Sequence, residues 1–408
     1  MNERIVIIGG GLASARVVKG YRETGGDAEV VLVSADTVLP YHRPPLSKGY
    51  LRGDVERDSV FVETETFYAE HDVEVRLDTK VSRVDTSGQA VELDGDRIEY
   101  GRLVLASGAV PRRLGVPGEE VDGVHVYRKL ADATAVREAA ASASGALVVG
   151  GGFIGMETTA SLRSRGLAVT QLDRSDGLFA AFRSPPLSRS LERLYHAEGV
   201  DVVLGDAVAE FRGRDGRLTG AVTQNGREIE ADLAIVGVGV TPSTGFLDGS
   251  GVEIDDGVVV DERFRTSVEG VFAVGDVARF YDPVFGHARR IEHWSNANYQ
   301  GGRLGRLLAG EDAPYDTVAS FFTEVFGRRL NLIGDLDGGH DEHVLRGSLE
   351  EGAILGVYLR GGRLVAALAH NQEDELQERL RGLLRTQAPV RDQRPLEDDA
   401  VPLLEAFS

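Results

Sequence analysis

Along the chain, short β-branched apolar runs alternate with stretches whose apolar residues return every three or four positions, and glycines mark the joints. Arg4 to Ile8 reads as a strand, Gly9-Gly10-Gly11 as a tight turn and Leu12 to Tyr21 as a helix. Val30 to Val33 then supplies a second strand, which closes a βαβ crossover. The pattern recurs: strand Ala146 to Val149, turn Gly150-Gly151-Gly152, helix Phe153 to Arg165, strand Val169 to Leu172. Shorter alternating strands are predicted at Val73 to Val84, Ala90 to Leu93 and Leu103 to Ala106. More follow the second unit, at Val200 to Leu204, Ala221 to Gln224 and Ala234 to Val238. From about Ala319 the strands Leu330 to Ile333, His343 to Arg346, Ile354 to Arg360 and Arg363 to Ala369 precede a charged helix, Glu373 to Arg385. The tail from Pro389 to Ser408, rich in proline and acid, reads either as a packed strap or as a partly disordered segment.

The pattern predicts an α/β protein with two Rossmann-like dinucleotide-binding folds and a small C-terminal α+β domain. Each glycine loop carries the residues that dinucleotide binding demands. In the first, Gly9 permits the turn, Gly11 lets backbone amides approach a pyrophosphate, and the helix beginning at Leu12 and Ala13 offers its positive end. Ser14 replaces the usual third glycine, and Asp36, 25 residues after Gly11, is placed to hold a ribose. The second loop matches in full. Gly150, Gly152 and Gly155 flank Phe153 and Ile154, and Asp173 follows 21 residues after Gly152. A carboxylate there repels a 2′-phosphate and favours NADH, whereas the adjacent Arg174 suits NADPH, so NADH is the expected cofactor and NADPH the alternative.

Composition narrows the chemistry. With 408 residues, 42% of them hydrophobic and 27% charged, the chain can bury several cores. A net charge of −20 argues against a nucleic-acid partner. No apolar run approaches the ~18 residues of a membrane span, and the first strand starts by Arg4, which leads us to expect a cytoplasmic protein without a membrane partner. Cysteine is absent, so the chain has no redox disulfide, no thiolate nucleophile and no iron–sulfur cluster of its own. The nine histidines are scattered, His340 and His343 forming the only close pair, and no metal site is expected.

The segment Leu39-Pro40-Tyr41-His42-Arg43-Pro44-Pro45-Leu46-Ser47-Lys48 is the most specific motif in the chain. Together with the two glycine loops it resembles the FAD-dependent pyridine nucleotide oxidoreductases, in particular the ferredoxin reductases of the putidaredoxin-reductase-like kind. The resemblance covers nearly the whole chain. It implies a glutathione-reductase-like FAD domain formed by residues 1–112 and 242–318, an NAD(P) domain of residues 113–241, and a C-terminal reductase domain of residues 319–408. It further implies that Arg43 and Lys48 lie along FAD, and that Val81 and Arg128 sit near its adenine and pyrophosphate end. Ala106-Ser107-Gly108 would close the first half, Gly275 and Asp276 would reach the ribityl chain, and Glu292-His293-Trp294 would reach the flavin. On the nicotinamide side the resemblance implies Gly237 and Gly239, and it pairs Glu157 with Lys48 where nicotinamide and flavin meet.

The activity so implied is hydride transfer from NADH to FAD, followed by single-electron delivery to an iron–sulfur ferredoxin serving an oxygenase, by a monomer or weak homodimer. The missing cysteines remove lipoamide, glutathione and peroxide reduction. Two alternatives stand beside the ferredoxin reading: a flavin oxidoreductase acting on a small molecule, a quinone or oxygen, and a flavin-bearing interaction protein resembling apoptosis-inducing-factor relatives. Two residues depart from the resemblance. Phe322 stands where a tryptophan is expected, and Ala181 where an arginine would hold the NAD ribose, leaving Arg174 or Arg183 as substitutes. An acidic ferredoxin would need a local basic face, for which Arg289, Arg290, Arg303, Arg306, Arg328 and Arg329 are the candidates.

Overall fold

A computed structural model describes residues 3–407. They form two compact units. The first gathers the stretch ending at His42, Arg57–Val110 and Thr241–Thr317; the second gathers Arg43–Glu56, Pro111–Val240 and the stretch from Val318 onward.

The first unit is built on a five-stranded parallel sheet in the order Val271–Ala273, Arg102–Leu105, Ile5–Ile8, Val30–Val33, Val73–Arg76. Ile5–Ile8 is central and wholly buried, as its unbroken β-branched run requires of a strand covered on both faces. The alternating stretch expected at Val73 to Val84 divides in two. Val73–Arg76 is the edge of the parallel sheet, and Val81–Asp85 starts a separate antiparallel sheet with Ala90–Leu93 and Asp96–Glu99. Asp78 at φ 49° lies between them and turns the chain. A period of two cannot reveal such a change of sheet, because it continues on either side.

Helix Leu12–Glu23 packs on helix Trp294–Leu308 through glycines. A Cβ on Gly20 would lie 2.6 Å from the Gly302 carbonyl oxygen, and one on Gly301 or Gly305 would lie 2.4 Å from the carbonyl oxygens of Ala13 or Val17. The two backbones therefore approach as closely as hydrogen-only side chains permit, which accounts for part of the glycine excess.

The second unit repeats the architecture. Its parallel sheet runs Asp201–Leu204, Ala168–Asp173, Gly145–Val149, Leu233–Val236, Val124–Val126. A second, antiparallel five-stranded sheet follows the order Ser320–Val325, Arg328–Gly334, Arg363–His370, Ala353–Arg360, Glu342–Ser348. The two sheets share one core: Met156, Phe182, Leu187 and Tyr195 from the glycine-loop side pack with Val325, Leu332, Tyr358 and Leu368 from the C-terminal side. Buried hydroxyls fasten it, Tyr358 donating to the Phe182 carbonyl at 2.7 Å and Tyr195 to that of Met156 at 2.8 Å. The tail is a packed strap, with Leu403, Leu404, Ala406 and Phe407 all buried. Among the described residues no helix is long and apolar enough to cross a membrane.

Candidate functional site

In the first unit the glycine loop is shaped by close approach. Gly9 has φ 128°, and a Cβ there would lie 2.1 Å from the Ala106 carbonyl oxygen, at the end of the neighbouring strand. Gly11 is the extended N-cap of the helix that opens with the buried Leu12 and Ala13. Gly275, at φ 77°, faces the Ala13 methyl, and its amide donates to Gln300 Oε1 at 2.8 Å. Loop, strand end and second helix thus converge on one place. Ser14 Oγ, Gln300 Nε2 and Asn296 Oδ1 are buried there without a protein partner among the described residues. Buried polar atoms are rarely left unsatisfied, so a polar ligand such as a dinucleotide fits this cradle.

The remaining expected contacts are distributed around the same unit. Asp36 ends its loop accepting from the Tyr41 hydroxyl at 3.0 Å. Ser107 donates to the Ser243 carbonyl at 2.8 Å, and Gly108 follows at φ 67°. Val81 is a buried strand residue opposite Leu93. Glu292 pairs with Arg290, and Asp276 is partly buried in the turn after Val271–Ala273. His293 caps its helix, accepting from the Ser295 amide, and Trp294 donates its indole N–H to His42 Nδ1 at 2.9 Å. That bond makes His42 an acceptor at Nδ1, and burial and the nearby Arg16 both hold its pKa below the ordinary imidazole value.

The second unit has the same loop geometry. A Cβ on Gly150, at φ 115°, would lie 2.3 Å from the Gly237 carbonyl oxygen, and one on Gly155 only 1.7 Å from that of Gly150. Gly152 is different: it is extended, and a Cβ there would meet nothing within 4 Å. No close approach of the protein therefore demands a glycine at this position. Asp173 accepts from the Gly151 amide and from the Ser175 amide, the latter at 2.7 Å, so its carboxylate is fixed beside the loop. Phe153 meets Phe179 and Phe182 edge-on at 5.3 and 5.6 Å, with Ile154 beside Gly237. Arg174, Ala181 and Arg183 are exposed, as is Gly239. Arg128 lies at the start of helix Leu130–Ala139, where its amide and that of Lys129 both donate to the Asp132 carboxylate.

Arg43–Glu56 also belongs to the second unit. Leu46–Tyr50 is one helical turn, closed by the Tyr50 amide on the Pro45 carbonyl at 2.9 Å and kinked at Lys48. Three hydroxyls fasten the segment to the fold: Tyr127 on the Leu46 carbonyl, Ser161 on that of Ser47, and Tyr50 with Thr134, all at 2.7 Å. This seats Lys48 Nζ 2.6 Å from Glu157 Oε2, with 13% and 5% of the two side chains exposed. The Ser47 hydroxyl donates to the same Oε2 at 2.5 Å, and the Thr323 hydroxyl donates to Oε1 at 2.8 Å. Glu157 is therefore a buried carboxylate with a cation and two hydroxyls on it. Nothing in the sequence marks Ser47 or Thr323, since small hydroxyls on a turn and a strand are ordinary.

Four of the six arginines named as candidates for a basic face, Arg289, Arg290, Arg303 and Arg306, lie against acids. Arg289 is 4% exposed and sits 3.4 Å from the buried Asp282. Arg290 is paired with Asp256 and Glu292, Arg303 with Asp316, and Arg306 with Glu311. Each charge is matched by an acid folded against it, which a count of positions along the chain cannot foresee. In the second unit Arg329 lies over the Phe322 ring, 5.1 Å from its centroid, and Arg328 donates to the Phe326 carbonyl at 2.8 Å. No group of three or more His, Cys, Asp or Glu able to hold a metal occurs among the described residues.

Two parallel-sheet folds, each with a glycine loop at a helix N-terminus, define an oxidoreductase that handles two dinucleotides. Residues 3–301 match the family described as pyridine nucleotide-disulphide oxidoreductase, and residues 320–407 match the family described as reductase C-terminal. This chain belongs to the pyridine nucleotide-disulphide oxidoreductase family. It is 34% identical to rhodocoxin reductase of Rhodococcus erythropolis, over 97% of this chain and 92% of that protein. It is also 34% identical to the benzene 1,2-dioxygenase system ferredoxin–NAD(+) reductase subunit of Pseudomonas putida, over 90% and 89%. Among solved structures, the covalent putidaredoxin reductase–putidaredoxin complex aligns with a TM-score of 0.94 and 32% identity, covering 99% of this chain and 98% of that one. The chain is an FAD- and nicotinamide-dependent oxidoreductase. Although the family name refers to a disulphide, no cysteine is present to form one.

Proposed function

We propose that this chain is an NAD(P)H:ferredoxin reductase that takes a hydride from NADH by way of FAD and hands single electrons to an iron–sulfur ferredoxin serving an oxygenase. The observation that carries the reading is the buried Lys48–Glu157 pair at 2.6 Å, which joins the Leu46–Tyr50 turn to the first turns of the helix that follows the second glycine loop. FAD, when bound, supplies the change from two-electron to one-electron transfer that no side chain here offers. Gly9, Gly11, Ser14, Asp36, Ala106, Gly275, Asp276 and Gln300 are the residues we assign to it in the first unit. Gly150, Gly152, Gly155 and Asp173 take the nicotinamide dinucleotide, and the carboxylate of Asp173 disfavours a 2′-phosphate. Lys48 holds a positive charge on a fixed carboxylate in a nearly dry place, where it orients a polar group without acting as acid or base.

The relatives' names support ferredoxin as the acceptor, and the absence of cysteine removes the disulfide route. In the same reading the protein is a cytoplasmic monomer or weak homodimer, and its charge of −20 turns it from nucleic acid. The test is anaerobic rapid mixing with NADH or NADPH, followed by ferredoxin-dependent reduction of cytochrome c. We expect NADH to bleach the flavin and cytochrome c to remain oxidised until ferredoxin is added. Equal rates without ferredoxin, or a colourless protein that takes up no FAD, would overturn the proposal. Slow turnover with every acceptor would point instead to a flavin-bearing interaction protein.

A further inference from the structure

Glu157 is held from two directions. Lys48 and Ser47, from the Pro44-Pro45 segment, both take Oε2, while Oε1 receives the hydroxyl of Thr323 at 2.8 Å. Thr323 lies in Ser320–Val325, the first strand of the C-terminal sheet, and is fully buried. Alternation along that strand turns Thr323 and Val325 inward, with the partly exposed Phe322 and Glu324 on the opposite face. Its backbone is paired in register with Leu330, and its β-branched side chain is stiff at χ1, so the hydroxyl is aimed by a rigid element. A threonine hydroxyl has one proton to donate, and this one is directed at the carboxylate. Without it, the two donors on Oε2 would leave the last torsion of Glu157 broad, because sp³–sp² torsions have shallow wells.

Building on the function proposed above, we propose that Thr323 is a positioning residue for the nicotinamide chemistry. It locks the plane of the Glu157 carboxylate, and through it the placement of the Lys48 ammonium, so that the C-terminal domain takes part in forming the reaction site. It touches neither dinucleotide and acts only through Glu157.

The experiment is a double-mutant cycle in the flavin-loaded enzyme, using Thr323→Val, Glu157→Gln and the pair, with Thr323→Ser as the conservative control. Where valine disturbs packing, Thr323→Ala replaces it. Two quantities are read: the limiting rate of flavin reduction at saturating NADH, and the thermal unfolding midpoint. Loss of one hydrogen bond to a buried carboxylate should lower the limiting rate about tenfold in Thr323→Val, and Thr323→Ser should stay within about threefold of the parent. In the Glu157→Gln background, Thr323→Val should change the rate by less than about twofold, and the unfolding midpoints should be non-additive. A Thr323→Val rate within about twofold of the parent, a rate effect undiminished in the Glu157→Gln background, or additive midpoints would each overturn the proposal. If NADH fails to reduce the flavin of the parent enzyme, the proposed function fails and the positioning role with it. The unfolding cycle would still report whether the Thr323–Glu157 bond exists.

Discussion

Trp294 donates its indole N–H to Nδ1 of His42 at 2.9 Å, across 252 residues of chain. Because Nδ1 accepts, the imidazole carries its proton on Nε2 and cannot become doubly protonated without losing the bond. Burial first, and then Arg16, depress its pKa from 6.5, in agreement with that geometry. Trp294 is the only tryptophan, so one indole resonance reports on the contact. We expect that resonance to shift with pH below 6.5 in the parent, and in His42→Phe to move and to lose that pH dependence. A stability loss of about 1 kcal/mol should accompany it. An indole signal indifferent to the substitution would contradict the pairing.

The second glycine loop separates structure from ligand within one motif. Gly155→Ala places a methyl 1.7 Å from the Gly150 carbonyl oxygen, so helix and strand must move apart. Destabilisation of about 3 kcal/mol is expected by thermal or urea unfolding. Gly152→Ala meets nothing and keeps an extended backbone, so its stability should stay within about 1 kcal/mol of the parent. Its KM for NADH should nevertheless rise by about tenfold or more if, as proposed, the pyrophosphate lies against this loop, because the methyl would then meet it. If Gly152→Ala binds NADH normally, the dinucleotide does not lie on this loop.

Arg346 anchors the C-terminal strap. Its guanidinium donates to the carbonyls of Pro395, Asp398 and Val401 and lies 3.0 Å from the Asp399 carboxylate, with 15% of its side chain exposed. Arg346→Ala strands three carbonyls and should cost about 2 kcal/mol of stability. Hydrogen exchange and limited proteolysis should quicken at residues 389–407, while the rate of flavin reduction by NADH stays within about twofold. Unchanged protection of the strap would show that its buried leucines alone retain it.

Glu350 joins the C-terminal sheet to helix Pro185–Ala197, accepting from Arg193 Nε and Ser190 Oγ at 2.7 Å. The Arg193 guanidinium, and then Ser190, lower its pKa from 4.5 to about 2. A carboxyl depressed in the folded state binds its proton more readily when unfolded, so its stabilising contribution is complete above pH 4.5 and lost as pH falls toward 2. The stability difference between parent and Glu350→Gln should therefore be constant above 4.5 and shrink below it, a shift that half-exposed side chains keep modest. A difference that grows on acidification would reverse the sign of the argument.

What the sequence determined alone is what lies within a few turns of chain. Gly9 and Gly150 need positive φ, the buried β-branched runs before them need a covered sheet, and both follow from local sterics and period. The second loop announces its helix and its carboxylate Asp173 by spacing. Lys48 and Glu157 each stand in a recognisable motif, and the family resemblance pairs them. Tertiary structure decided the rest, because it depends on which distant segments share a face. Ser47 reaches Glu157 across 110 residues and Thr323 across 166. Arg289 meets Asp282 inside a hairpin and ceases to be surface charge. The division of Val73 to Val84 into two sheets, the strand at Ser320–Val325 and the core common to the C-terminal sheet and the second glycine-loop fold have the same origin. Hydrophobic period states that a residue is buried and leaves open against what; only chain closure in three dimensions supplies the partner.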